Sequence, residues 1–225
     1  VSENTRKDLI KDFKIDTNKT RKVLHGIDHE TFHPISSIKR KKNQLITTAS
    51  ADVPLKGLIF LIRAYADLLK EFPDLELLVI GRLREGPTDQ ELKKEGIKEK
   101  VKFISDLTGR QIAELYAEST IAVSPSVYEG FGFPAGEAMS CGIPLISTNG
   151  GSLPEVVGDA AIIVPHSNPK ALKDAIKLLL KSPEKRLDLG NKGRKRVLEK
   201  FTWKRAAKEL VEVYREAIEN ANNRS

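Results

Sequence analysis

Glu129 and Glu137 bracket Gly130, Phe131, Gly132, Phe133 and Pro134 in the stretch SVYEGFGFPAGEAMSCGIPLIST, residues 126–148. Carboxylates accept hydrogen bonds from hydroxyls, and glycines let backbone N–H groups approach a ligand closely, so these types at this spacing suit a molecule carrying both hydroxyls and phosphate. Pro134 fits the first turn of a helix, where its missing N–H is no loss, and Gly142 followed by Pro144 fits the end; a helix over 134–141 is predicted. The N-terminus of such a helix presents unpaired N–H groups and the positive end of its dipole to a phosphate. Glu137 falls in the first helical turn, placed to accept from the vicinal hydroxyls of a ribose, and Glu129 faces the same cleft. Two blander readings stay open: Glu137 as an acid that merely complements the helix dipole, and Phe131 and Phe133 as core side chains.

Positioning these residues requires a frame. Residues 44–50, 75–81, 101–105, 120–124, 143–148 and 160–164 read as buried strands, and residues 56–72 and 108–119 as amphipathic helices between them. This alternation predicts an α/β fold, a Rossmann-like parallel sheet with helices on both faces, whose ligands bind in loops at the carboxyl ends of the strands. The 126–148 stretch is one such loop. Gly130, Gly132 and Ala135 also fit GxGxxG/A, but that pattern lies mid-chain, away from its strand. The next strand runs into STNGG with no ribose-binding acid, so a dehydrogenase reading is poor.

With 225 residues and 40% hydrophobic content the chain can bury a real core. One cysteine leaves no partner for an internal disulfide, and no apolar run is long enough to cross a membrane, which points to a cytoplasmic setting. The net charge of +7 concentrates in residues 185–205, where acids are interleaved; without a nucleic-acid motif or an aromatic stacking series this reads as a solvated helix surface, with no nucleic acid as partner. The scattered histidines offer no metal cluster, and no cofactor is expected.

Residues 1–19 read as a polar, helix-like tail or connector, followed by a short strand and a turn marked by Gly26 and Asp28. Residues 20–200 form the Rossmann-like unit. Three successive helices close the chain, the last over 201–225 and suited to docking elsewhere.

Together these motifs resemble family 4, or group 1, glycosyltransferases of the GT-B fold. Glu129 and Glu137 match the E-x7-E signature, HGIDHETF the entry to the C-terminal Rossmann-like domain, ADVPLKGL the KG phosphate loop, and FTW the closing helix. The resemblance covers nearly the whole chain, yet corresponds only to the C-terminal half of such two-domain enzymes. It implies a retaining, metal-independent transferase domain that binds a nucleotide-diphosphate sugar donor for transfer to a hydroxyl of a carbohydrate, lipid-linked or other acceptor. The missing N-terminal domain would supply the acceptor site, the 201–225 helix would dock back on it, and peripheral contact at the inner face of a membrane would be compatible. Glu137 would bind the ribose, Glu129 the transferred sugar, the backbone of Gly130, Phe131, Gly132 and Phe133 the sugar hydroxyls and phosphate, and Lys56 the leaving diphosphate; a plain surface lysine is the alternative for Lys56. Three positions depart from the pattern. Ser50 stands where an arginine is common and supplies no guanidinium fork, with Arg82 a candidate substitute; His25 replaces an Asn; and Ser105 replaces a Gly in the base-binding region. The rival readings are a glycan phosphorylase and a catalytically silent nucleotide-binding module of the same fold.

Overall fold

The computed structural model describes residues 2–49 and 53–223. In chain order the elements are α1 (Glu3–Phe13), β1 (Gln44–Thr48), α2 (Leu58–Leu69), β2 (Glu76–Ile80), α3 (Pro87–Lys94), β3 (Val101–Ile104), α4 (Gly109–Glu118), β4 (Ile121–Ser124), α5 (Phe133–Ser140), β5 (Leu145–Thr148), α6 (Leu153–Val157), β6 (Ala161–Val164), α7 (Pro169–Lys181), α8 (Pro183–Lys200) and α9 (Trp203–Asn222). The strands pair in parallel in the order β3-β2-β1-β4-β5-β6. All six strands read from the sequence are present, trimmed by a residue or two at their ends, and the expected parallel sheet with helices on both faces is the observed one.

Near-continuous apolar strands are the mark of a sheet covered on both sides. Leu45, Leu77, Val79, Ile121 and Val123 pack on Leu61, Leu68, Leu172 and Ile176 of α2 and α7. Across the sheet, Ile46, Leu78, Ala122 and Leu145 pack on Tyr116 of α4, Met139 of α5, Val156 of α6 and Val197 of α8. Two helices that apolar periodicity did not single out complete the alternation: α3, begun by Pro87, and the short α6, begun by Leu153 and Pro154.

The short strand expected before Gly26 is absent. Around it only Ile27 bridges another segment, at Thr202, the N-cap of α9, where the chain turns into a helix and no ladder can continue. The polar start of the chain is helical as expected. Helix α1 buries none of its own residues, and Leu9 and Phe13 stay 40% and 71% exposed. The apolar face of α9 is equally open at Leu210, Val211, Tyr214 and Ile218.

Gly57 closes the turn before α2 with φ of 63°, and a Cβ there would collide with the carbonyl oxygen of Pro125. The left-handed conformation alone costs an L-residue about 1–2 kcal/mol. Gly57→Ala should therefore lower the melting temperature by at least about 4 °C, given roughly 2–4 °C per kcal/mol at this chain length and the added clash. A shift under about 1 °C in a scanning experiment would show that the two loops are not held this close.

Candidate functional site

The strand order reverses between β1 and β4: the chain leaves β1 for β2 on one side and β4 for β5 on the other. In a parallel sheet the loops diverge at such a point and open a crevice at the carboxyl ends of the strands. Lys56 enters it from the turn after β1, and residues 125–132 from the loop after β4. The two segments are joined by the Val127 N–H donating to the Leu55 carbonyl at 2.8 Å. Lys56 Nζ lies 2.7 Å from Glu129 Oε1, which also accepts from Ser126 Oγ at 2.8 Å. The side chains are 25% and 13% exposed, so the pair is largely withdrawn from water but still open to an entering ligand.

The glycines beside Glu129 leave backbone donors bare. Among the described residues, the N–H groups of Gly130, Phe131, Gly132 and Phe133 have no hydrogen-bond partner. Carbonyls of this loop are engaged: the Ser152 N–H donates to the Glu129 carbonyl at 3.0 Å, and the single Ser152 hydroxyl proton is shared between the Glu129 and Phe131 carbonyl oxygens, each 2.9 Å away. Helix α5 starts one residue earlier than expected, with Gly132 as its N-cap at φ of 97° and Pro134 in its first turn. A glycine cap has no side chain to satisfy the first turn, so the N–H groups and the positive helix end face the crevice. A run of unpaired backbone donors around a turn is the usual construction of an anion-binding concavity.

Both ends of α5 are anchored. The Tyr116 hydroxyl lies 3.1 Å from Thr48 Oγ1 and 3.3 Å from the Pro134 carbonyl oxygen. Arg194 donates to the Ser140 carbonyl and hydroxyl and to the carbonyls of His29 and Phe32, neutralising the helix C-terminus. Glu137 is half-buried on this rigid helix, and among the described residues its carboxyl group has no hydrogen-bond partner. Burial, reinforced by the negative charge of Asp28, pushes its pKa up to about 7. Asp28 is held below the usual carboxylate range by its hydrogen bonds with Thr31, so it stays charged beside Glu137. A half-buried carboxyl that lacks a partner is where an incoming hydroxyl donor gains most.

Phe131 and Phe133 divide between the two readings left open. Phe131 is 4% exposed and packs in the core, whereas Phe133 is 39% exposed at the rim. The two rings pack on each other at 5.1 Å, and His25 packs beside both, its ring 5.2 Å from Phe131, 5.4 Å from Phe133 and 6.3 Å from Trp203; burial lowers its pKa. Arg82 donates to Ser105 Oγ at 3.0 Å and pairs with Asp106 across the ends of β2 and β3. The position of Ser50 lies outside the described residues. Tyr116 and Ser152 carried no local pattern that would have marked them and reach the site by tertiary contact; Asp28 was legible only as a turn residue, and Ser126 lies three residues before Glu129 in the same loop. Among the described residues no three His, Cys, Asp or Glu side chains group closely enough to hold a metal ion, and no helix is long and apolar enough to cross a membrane.

A sequence model of the family described as glycosyl transferases group 1 matches residues 28–196. The chain is 38% identical over 222 residues to the MMP alpha-(1->4)-mannosyltransferase of Mycolicibacterium hassiacum, covering 97% of this chain and 53% of that protein. Among solved structures it resembles the sucrose-phosphate synthase of Thermosynechococcus elongatus, with a TM-score of 0.82 and 24% identity over 98% of this chain and 58% of that one. It also resembles Anabaena Alr3699/HepE, solved in complex with UDP, with a TM-score of 0.83 and 19% identity over 96% of this chain and 62% of that one. The chain spans about half the length of the curated relatives it matches.

Proposed function

Because the chain belongs to the group 1 glycosyl transferases, we propose that it is the donor-binding half of a sugar-transferring enzyme and holds a nucleoside diphosphate sugar in the crevice between β1 and β4. One observation carries this reading: the N–H groups of Gly130–Phe133, bare among the described residues, stand on the same loop and helix as the Glu137 carboxyl, likewise unpartnered among them, a donor array for oxyanions next to an acceptor for hydroxyls. The Glu137 carboxylate accepts from the two ribose hydroxyls. The N–H groups meet the phosphate and the sugar hydroxyls. Lys56 faces the diphosphate, and Glu129 the transferred sugar.

When the bond from the anomeric carbon to the leaving oxygen breaks, the electron pair goes to the diphosphate. The protein meets that charge with Lys56 and with dipoles already in place. The acceptor hydroxyl attacks on the same face and gives its proton to the leaving phosphate, which retains the anomeric configuration. Lys56 is bound to Glu129 in the free chain; the donor loosens this pair, turning the lysine to the diphosphate and the glutamate to the sugar. The acceptor contacts come from an N-terminal domain, against which the open apolar face of α9 docks. The mannosyltransferase relative and the UDP-bound neighbour support the donor class.

A panel of UDP, GDP, ADP and dTDP tests the reading. The matching nucleotide at about a hundred times its Kd should raise the melting temperature by roughly 5–10 °C. In calorimetry, Glu129→Ala should leave affinity for that nucleotide within about twofold while removing the extra affinity conferred by the sugar. No stabilisation by any of the four nucleotides, or a Glu129→Ala loss as large for the bare nucleotide as for the sugar donor, defeats the assignment.

A further inference from the structure

Helix α1 is tied to the donor loop by polar contacts. Thr5 Oγ1 donates to the Gly130 carbonyl at 3.1 Å, and the Tyr128 hydroxyl donates to Asp8 Oδ2 at 2.6 Å, so the two residues flanking Glu129 are both tied to α1. The Glu3 N–H donates to Glu155 Oε2 at 2.8 Å, and Lys22 bridges Glu155 and Glu3. No residue of α1 is buried, so the hydrophobic effect adds little to its seat, and a few hydrogen bonds of modest net value hold it.

The loop is not uniformly fixed. Ser152 grips the carbonyls of Glu129 and Phe131 from the α6 side, but the carbonyl between them, that of Gly130, is held by Thr5. In a trans peptide the carbonyl and the following N–H point in opposite directions. Fixing the Gly130 carbonyl on α1 therefore turns the unpaired Phe131 N–H away from α1, in one orientation.

Resting on the donor-site reading above, we propose that α1 is a latch on the donor loop: Thr5, with Asp8 acting through Tyr128, sets the Gly130–Phe131 peptide and thereby the recognition of the sugar part of a nucleoside diphosphate sugar. Thr5, Asp8 and Tyr128 are then positioning residues. They act through Glu129 and the Phe131 N–H, and an undocked α1 leaves the nucleotide contacts at Glu137 intact while loosening those to the sugar. Movement of α1, which has no core of its own to resist it, is read out at the transferred sugar.

The test compares the native 225-residue chain with Thr5→Val, Tyr128→Phe, Asp8→Ala and Asp8→Asn. Calorimetry with UDP, GDP, UDP-glucose and GDP-mannose gives the sugar increment, the ratio of the nucleotide Kd to the donor Kd. Thr5→Val, Tyr128→Phe and Asp8→Ala should each reduce that increment about three- to tenfold with nucleotide affinity unchanged, as expected for one lost hydrogen bond. Asp8→Ala combined with Tyr128→Phe should cost no more than either alone, and Asp8→Asn, whose amide oxygen still accepts, should restore most of the increment. Relaxation dispersion at the Phe131 and Gly132 amides of the free chain, flat in the native protein, should appear in Thr5→Val as the peptide begins to reorient on the microsecond to millisecond scale. An unchanged increment in folded variants, equal losses for nucleotide and donor, or dispersion in Thr5→Val identical to the native chain overturns the latch. Failure of the native chain to bind any of the four ligands instead removes the donor-site reading, and the dispersion alone then decides whether α1 controls the peptide.

Discussion

Nucleoside diphosphate binding should tighten about tenfold between pH 6 and pH 8 and change little above that, with Glu137 as the group responsible. Ribose hydroxyls donate to the ionised carboxylate, so the ligand selects the charged form, and below a pKa of about 7 that form falls tenfold per pH unit. At pH 8, Glu137→Ala should weaken binding by about 1.5–3 kcal/mol, roughly 10- to 150-fold, the worth of hydrogen bonds to a charged acceptor. Glu137→Gln should bind weakly and without the native pH slope; subtracting its profile removes the titration of the phosphates themselves.

The stability of the free protein should run with the opposite sign. A folded pKa of about 7 against an ordinary unfolded value means the native state binds the proton more tightly, so the stabilisation is fully present below about pH 4 and lost as pH rises through 7. The loss is at most about 3.5 kcal/mol. Glu137→Gln should flatten that part of the stability curve. A nucleotide affinity that is level from pH 6 to 8 after the subtraction, or one that rises toward acid, contradicts the ribose role.

The second large effect is expected at Lys56. Removing it takes the cation from the diphosphate and also leaves Glu129, only 13% exposed, as an uncompensated negative charge beside the phosphates. Lys56→Ala should therefore weaken nucleoside diphosphate binding at least about 30-fold, and nucleoside monophosphate binding less than about threefold. Lys56→Ala combined with Glu129→Ala should recover about fivefold or more of the diphosphate affinity, because the stranded carboxylate is gone. The four affinities form a double-mutant cycle in which the two losses are far from additive. Additive behaviour, or equal losses for mono- and diphosphate, would place the diphosphate elsewhere.

Much of the frame was legible in the chain because the information is local. Period-two and near-continuous apolar runs predict strands, and the spacing of Leu58, Leu61, Ile62, Tyr65 and Leu68 predicts α2, since side-chain direction follows the backbone repeat. Pro134 and Gly142 delimited α5 to within a residue, because proline and glycine act through their own φ angles. The strand before Gly26 was misjudged for the complementary reason: a strand needs a partner edge, and no local pattern says whether one is within reach. Helix α6, five residues long, is too short for periodicity to register.

At the site, the sequence by itself determined which residues have the chemistry: two carboxylates eight positions apart around glycines, a helix start marked by a proline, and a lysine ahead of a glycine. Their states are another matter. That Lys56 pairs with Glu129 and not with Glu137, that Asp28 stands near Glu137 and helps lift its pKa, that Arg82 is engaged by Asp106, and that Thr5 reaches the Gly130 carbonyl are all consequences of the tertiary structure. These contacts join positions up to 125 residues apart, and charge, burial and hydrogen-bond geometry depend on distances through space that sequence separation does not encode. Types and local backbone shape are set by the covalent chain; protonation, pairing and vacancy are set only when the crevice between β1 and β4 brings remote segments together.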